Sequence, residues 1–185
     1  MERRHEISEE SFNARQFRDV LGRFASGVTV VTTAHEGHVH GMTANAFVSV
    51  SLNPPLVLVS VNNRAHMHKA LLSSSRYAVS ILAEGQEALS DHFAGRTAAG
   101  LEVSFIYKDG LPVLKDAAAY LVCRVHEIHP AGDHTLYIGE VEFLELSDGR
   151  PLVFYAGKYR YLDVERLKQP QWPEDDFSLF SITNF

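Results

Sequence analysis

Cysteine is nearly missing from this 185-residue chain. The one present, Cys123, has no partner for an internal disulfide, which is compatible with a reducing cytosol. No apolar run approaches the length of a membrane span. The opening residues, MERRHEISEE, are charged throughout and lack the apolar stretch of a secretory signal, so a soluble, cytoplasmic protein is expected. Positive charge is also scarce. Lys and Arg number 17 against 23 Asp and Glu, a net charge of -6, which argues against nucleic acid because phosphate-backbone binding needs a basic face. A local basic cluster could still hold one phosphate group.

Several catalytic signatures are missing too. There is no Walker sequence and no Gly-x-Gly-x-x-Gly, so a bound nucleotide would not be held in the Rossmann manner. No serine sits in a Gly-x-Ser-x-Gly elbow, and Cys123, inside the apolar run Tyr120 to Val125, reads as an inert core thiol. The ten histidines lack metal-binding spacing. His35, His38 and His40 fall at a turn with no cysteine nearby, and His66 and His68 are two apart, which on a helix points them to different faces. They read as surface residues, and no metal site is expected.

The composition that remains, 45% hydrophobic and 22% charged, is that of a globular protein with one real core. A single domain is expected over 13–166, with an arm at 1–12 and a tail at 167–185. The tail is Pro-rich and acidic yet carries Trp172, Phe177, Leu179, Phe180 and Phe185. It reads either as disorder or as an arm pinned to this subunit or a partner by its aromatics.

Along the chain, Asn13 and Gln16 resemble a capping box ahead of Phe17, Val20, Leu21 and Phe24, which share one face of a helix ending near Ser26-Gly27. Val28 to Thr33 is a β-branched strand, and Glu36-Gly37 signals a turn. A short helix fits about Ala65 to Ser73, a strand Tyr77 to Leu82, and a second helix Gln86 to Phe93. Thr97 to Lys115 reads as a loop or lid with little regular structure. Two long strands, Tyr120 to Ile128 and Thr135 to Leu146, flank His129 to His134. Ser147 to Arg150 then suggests a hairpin into Leu152 to Tyr155, with a last strand at Tyr159 to Leu162. Many strands with turn signals and few helices suggest a mainly β protein, an antiparallel barrel whose openings the helices cover.

The stretch Gly41 to Val61, GMTANAFVSVSLNPPLVLVSV, stands out. Val48, Val50 and Leu52 alternate with Ser49 and Ser51, the period of a half-buried strand. Pro54 and Pro55 interrupt pairing, because neither donates a ladder hydrogen bond. Leu56 to Val59 then reads as a strand buried on both faces. Thr43, Ala44, Asn45 and Ala46 put small residues and one amide where a core strand would carry branched side chains. Backbone can approach something flat and polar there, with a flavin ring as the candidate. Beyond it, Ser60, Asn62, Asn63, Arg64, His66, His68 and Lys69 crowd a helix start, which reads either as a hydrated cap or as a phosphate site. Arg96 could add a second cation. Asp133-His134 reads as a surface turn or as a rim group contacting a second substrate.

Phe24-Ala-Ser-Gly-Val-Thr-Val-Val-Thr-Thr33, the run from Gly41 to Val57, His92-Phe-Ala-Gly95, Gly132 to Glu140 and Pro151 to Arg160 together resemble the short-chain flavin reductases. These are the small components of two-component flavin-dependent monooxygenases. The resemblance spans about Phe17 to Leu162. It implies an FMN-binding split barrel, a homodimer, and hydride transfer from NADH or NADPH to FMN or FAD for delivery to a partner monooxygenase. It also implies that Thr43 to Ala46 meet the ring, while Ser60, Asn62, Arg64, His66 and Lys69 surround the phosphate end. Phe93, Ala94, Gly95 and Arg96 would close over the flavin, and His134, with Tyr155 and Tyr159 as further candidates, would stand near the nicotinamide. No indispensable general base is expected, because the cofactor carries the reaction. A flavin-bound oxidase resembling the pyridoxamine-phosphate oxidases and a non-enzymatic flavin or haem binder are the rival readings.

Overall fold

The computed structural model describes residues 13–35 and 37–163. The arm 1–12, Glu36 and the tail 167–185 lie outside them. The chain runs α1 (Ala14–Leu21), β1 (Ser26–Gly27), β2 (Thr29–His35), β3 (His38–Ala44), β4 (Phe47–Leu52), β5 (Pro55–Asn62), α2 (His66–Ser73), β6 (Arg76–Ile81) and α3 (Glu87–Phe93). It continues β7 (Phe105–Lys108), β8 (Leu111–Leu114), β9 (Ala119–Ala131), β10 (His134–Leu146), β11 (Val153–Tyr155) and β12 (Lys158–Arg160).

Seven strands form one antiparallel sheet in the order β3-β2-β6-β9-β10-β5-β4. Its two edge strands, β3 and β4, follow one another in the chain with only Asn45 and Ala46 between them. Two residues cannot span a flat seven-stranded sheet, whose strands lie about 4.8 Å apart. The sheet therefore curls until its edges come together at Asn45-Ala46, where the Ser60 amide extends the β4–β5 ladder by donating to the Ala46 carbonyl at 3.1 Å. The edges stay unpaired with each other, which is the architecture of a split barrel.

The barrel is filled by Val31, Val57, Val59, Val61, Tyr77, Val79, Cys123 and Tyr137, with Met67 and Leu71 of α2 packed against them. Buried threonines of β2 satisfy themselves on backbone, Thr29 donating to the Ala44 carbonyl at 2.7 Å and Thr33 to the Arg76 carbonyl at 2.9 Å. Where Tyr77 lies across β10, only glycine fits. A Cβ at Gly139 would overlap the Tyr77 hydroxyl, and the ladder to β9 shifts register there.

Several expectations change. Thr97 to Lys115 is not a structureless lid, because Phe105–Lys108 and Leu111–Leu114 pair around Asp109-Gly110, both at positive φ. β8 is buried throughout, and Leu111 and Val113 pack on Ala78, Tyr120 and Val122 as the second layer of the core. Ser147 to Arg150 does not form a hairpin. β11 pairs instead with β1 and β12, leaving the seven-stranded sheet. α1 ends at Leu21, and Asn13 caps it by accepting from the amides of Arg15 and Gln16 at 3.0 and 3.1 Å. β5 is buried on one face and half-buried on the other, Val57, Val59 and Val61 pointing inward. On β4 the apolar set faces outward, with Val48 55%, Val50 36% and Leu52 69% exposed.

Candidate functional site

The seam between the sheet edges is also where the clefts converge. Asn45 and Ala46 leave the ladder at the end of β3, and among the described residues neither amide N–H donates to a backbone carbonyl. Two adjacent donors with no backbone partner among the described residues, beside side chains no larger than an amide, suit the acceptor-rich edge of a flat ring. Ala44 belongs to the other side. It is 7% exposed and packs in the barrel core, so its contribution to the seam is backbone.

On one side of the seam, Met42, Thr43, Ala44, Asn45, Ala46, Ser60, Asn62 and His134 line a cleft of about 240 Å³. Ser60 and Asn62 reach it because β5 pairs with β10 in a register that sets Asn62 opposite His134. The Asn62 Oδ1 accepts from the Arg64 amide at 2.9 Å, a local turn that carries the exposed Arg64 past the strand end. The Asn63 amide donates to the Asp133 carbonyl at 3.0 Å, which ties this corner to the β9–β10 turn.

In that turn the His134 Nδ1 lies 2.7 Å from the Asp133 Oδ1. The hydrogen bond from His134, then its charge, lowers the Asp133 pKa below the ordinary carboxylate value, with Arg64 a smaller contributor. An ionised carboxylate only accepts, so the proton sits on Nδ1 and Nε2 is left for a ligand.

On the other side, Val28, Thr43, Asn45, Ser90, Ala94, Arg96, Phe154 and Tyr159 line a smaller cleft of about 160 Å³. One hydrogen-bonded chain builds its wall. Thr43 donates to the Ser90 carbonyl at 2.6 Å, and the Tyr159 hydroxyl bonds the Ser90 Oγ at 2.9 Å and the Asp91 Oδ1 at 2.8 Å. Arg96 folds back on the same Asp91 oxygen at 2.5 Å. The Arg96 guanidinium first, then Tyr159, holds the Asp91 carboxyl below the usual range, while burial raises the Tyr159 phenol. A third, larger cleft of about 710 Å³ is lined by Asn45, Asp133, His134, Phe154 and Gly157 together with α1 residues.

The geometry therefore unites Thr43, Ala44, Asn45, Ala46, Ser60, Asn62 and His134, and separately Thr43, Asn45, Ala94, Arg96 and Tyr159. Other expected residues lie outside these clefts. Phe93 packs edge-to-face on Phe105, centroids 6.2 Å apart, and its ring fills the space over Gly41. Tyr155 lies beside the Arg23 guanidinium just beyond α1 and raises its pKa. His66 and Lys69 are exposed on α2, and Gly95 sits at positive φ in the turn after α3. Ser90, Asp91 and Phe154 were not singled out by the sequence, for no local pattern marks them. No group of three or more possible metal ligands occurs among the described residues, and no described helix is long and apolar enough to cross a membrane.

A family model described as a flavin reductase like domain matches residues 21–163. An NADH-dependent flavin reductase of a Rhodococcus species is 53% identical over 156 residues, spanning 83% of this chain and 89% of that protein. The reductase component of a 4-hydroxyphenylacetate 3-monooxygenase from Thermus thermophilus is 46% identical over 147 residues, 79% of this chain and 95% of its own. Among solved structures, the flavin reductase PheA2 in its native state superposes with a TM-score of 0.79 at 50% identity, covering 82% of this chain and 99% of that one. An NADH:FAD oxidoreductase of Streptomyces globisporus, solved with NAD and FAD fragments, gives 0.76 at 38% identity, covering 81% and 93%.

Proposed function

This chain belongs to the flavin reductase-like family, and from that premise we propose that it is an NADH-dependent flavin reductase supplying reduced FMN or FAD to a partner monooxygenase. The observation that carries the reading is the pair of amides at Asn45 and Ala46, without backbone partners among the described residues, on a connection where several clefts meet. When bound, the flavin supplies the hydride acceptor.

Everything else falls to the protein's own groups. The Asn45 and Ala46 N–H groups donate to the polar edge of the ring, where negative charge grows during reduction. Thr43 cannot add its hydroxyl proton, which is committed to the Ser90 carbonyl, so its oxygen serves only as an acceptor. Ser60 and Asn62 hold the cofactor beyond the ring, and Arg64, with His66 and Lys69 on the exposed side of α2, supplies positive charge toward phosphate. Asp133 fixes the tautomer of His134, which presents Nε2 to the nicotinamide. Tyr159, through Asp91, holds Arg96 at the mouth of the smaller cleft. Such positioning within about 3.5 Å of the acceptor is the main demand of hydride transfer.

A homodimer is part of the proposal. Val48, Val50 and Leu52 of β4 and Leu144 and Leu146 of β10 are exposed, 36–84%, and a second copy is a fitting cover for such a face. Light scattering on the purified protein checks it.

The decisive experiment follows NADH absorbance with and without added free FMN or FAD. Oxidation that rises with added flavin is expected. Turnover only with an amine substrate would support the oxidase instead, and a chain that binds flavin yet oxidises no NADH would be a carrier or sensor.

A further inference from the structure

The wall of the smaller cleft has a polarity that its own contacts dictate. Thr43 gives its hydroxyl proton to the Ser90 carbonyl at 2.6 Å. The Tyr159 phenol oxygen lies 2.9 Å from the Ser90 Oγ and 2.8 Å from the Asp91 Oδ1, and it has one proton for the two. The Asp91 carboxyl, held below the usual range by Arg96 and then Tyr159, is ionised and can only accept. The phenol proton therefore goes to Asp91, and the Ser90 hydroxyl gives its own to the phenol oxygen. Arg96 commits its Nε–H and an Nη2–H to the same Asp91 oxygen, at 3.2 and 2.5 Å. All of these protons are used inside the wall.

Thr43, Ser90 and Tyr159 line the cleft of about 160 Å³ and can offer it only oxygen lone pairs. Asn45 offers both a donor and an acceptor. Arg96 is the one cation in the lining, and Asp91 cancels its charge. We propose that Asp91 sets the specificity of this cleft: it makes the wall an acceptor of sugar hydroxyls and keeps phosphate out. An incoming hydroxyl finds lone pairs. A phosphate, which presents acceptors of its own, meets the same lone pairs and a guanidinium already neutralised. The sugar is the ribose of the nicotinamide dinucleotide or the ribityl chain of the flavin. Each exists with and without a phosphate ester, as NADPH and NADH or as FMN and riboflavin. Naming the sugar rests on the reductase reading, whereas the rejection of phosphate does not.

Asp91→Asn removes the countercharge and returns the guanidinium to the cleft. Melting in inorganic phosphate against chloride at equal ionic strength reads this without any turnover. The phosphate-specific rise in Tm should be larger in Asp91→Asn than in the wild type, and Arg96→Gln in that background should abolish the difference. Asp91→Glu keeps a carboxylate and should respond as the wild type does. An equal response in Asp91→Asn and wild type, or a gain that survives Arg96→Gln, overturns the proposal. In turnover, the KM for NADPH relative to NADH should fall about two- to fivefold in Asp91→Asn when the cleft takes the dinucleotide ribose, the scale of one exposed ion pair. The KM for FMN relative to riboflavin should fall instead when it takes the flavin sugar. Both ratios unchanged refutes the sugar assignment. Arg96→Gln alone, at a side chain 67% exposed, leaves Asp91 uncompensated and should move the affected ratio the opposite way, so a poorly folded Asp91→Asn does not spare the proposal. A phosphate gain in a protein that oxidises no NADH refutes the reductase reading and leaves the polarity of the cleft standing.

Discussion

The ring of Phe93 occupies the space that a side chain at Gly41 would need. This contact sets α3 down on β3 two residues before Thr43, whose hydroxyl reaches the Ser90 carbonyl on the same helix. The glycine is thus a packing device for the seam. Gly41→Ala should cost about 1–3 kcal/mol by overpacking, read from the denaturation midpoint. An unchanged midpoint would show that Phe93 yields without cost.

Ala46 is exposed at the seam, whereas Ala44 points into the core. Ala46→Leu is therefore the clean test of the ring site, and Ala44→Leu tests packing. Flavin affinity in a folded Ala46→Leu protein should drop at least about tenfold, ~1.4 kcal/mol. Titration showing wild-type affinity would reduce the seam to a connection.

His134→Ala removes the group whose Nε2 is left for a ligand. The KM for NADH should rise roughly 2- to 10-fold, the loss of about 0.5–1.5 kcal/mol from one neutral hydrogen bond. Flavin affinity should hold. Loss of flavin binding with KM unmoved would reverse the assignment.

The depressed Asp91 carboxyl makes a pH prediction. A carboxyl whose folded pKa lies below its unfolded value, about 3.9, contributes stability fully above that value and loses it as pH falls through the folded one. The Tm of wild type should exceed that of Asp91→Asn at neutral pH, and the gap should close in strong acid. A gap that persists through the acid limb, or that is missing at neutrality, contradicts the linkage.

Burial pushes the Cys123 thiol up to about 12. The native protein should resist alkylation near the ordinary thiol pKa of about 8.5 and react only once unfolded. Rapid labelling of the folded chain would mean that the barrel interior opens.

Much of this was legible in local pattern. Asn13, the β-branched run to Thr33 and the long strands around Gly132-Asp133 declare themselves through caps, periods and turn residues. The β7–β8 hairpin was missed although Asp109-Gly110 is a hairpin turn signal, because Pro112 and the short flanking runs masked its alternation. Alternation on β4 was read correctly as strand, but the apolar members of what read as a half-buried strand are the exposed ones. A period of two says that the faces differ, and only the whole topology says which one is inside. The same limit governs the site. Thr43 to Ala46 stood out as small residues in an apolar stretch, but Ser90, Asp91 and Tyr159 meet them across intervals of up to 116 residues in the chain, where no local spacing reaches.

The seam at Asn45-Ala46 has an energetic consequence. β3 and β4 are sequence neighbours at opposite ends of a seven-strand order, so the site exists only after every intervening strand has been laid down. A ligand held there engages the closed sheet and no partly assembled form of it. It acts as a clasp on the whole barrel, adding RT ln(1 + [L]/Kd) to global stability, about 2.7 kcal/mol at a hundredfold excess over Kd. Releasing product to a partner therefore also loosens the donor, and an emptied reductase is the more easily unfolded of the two.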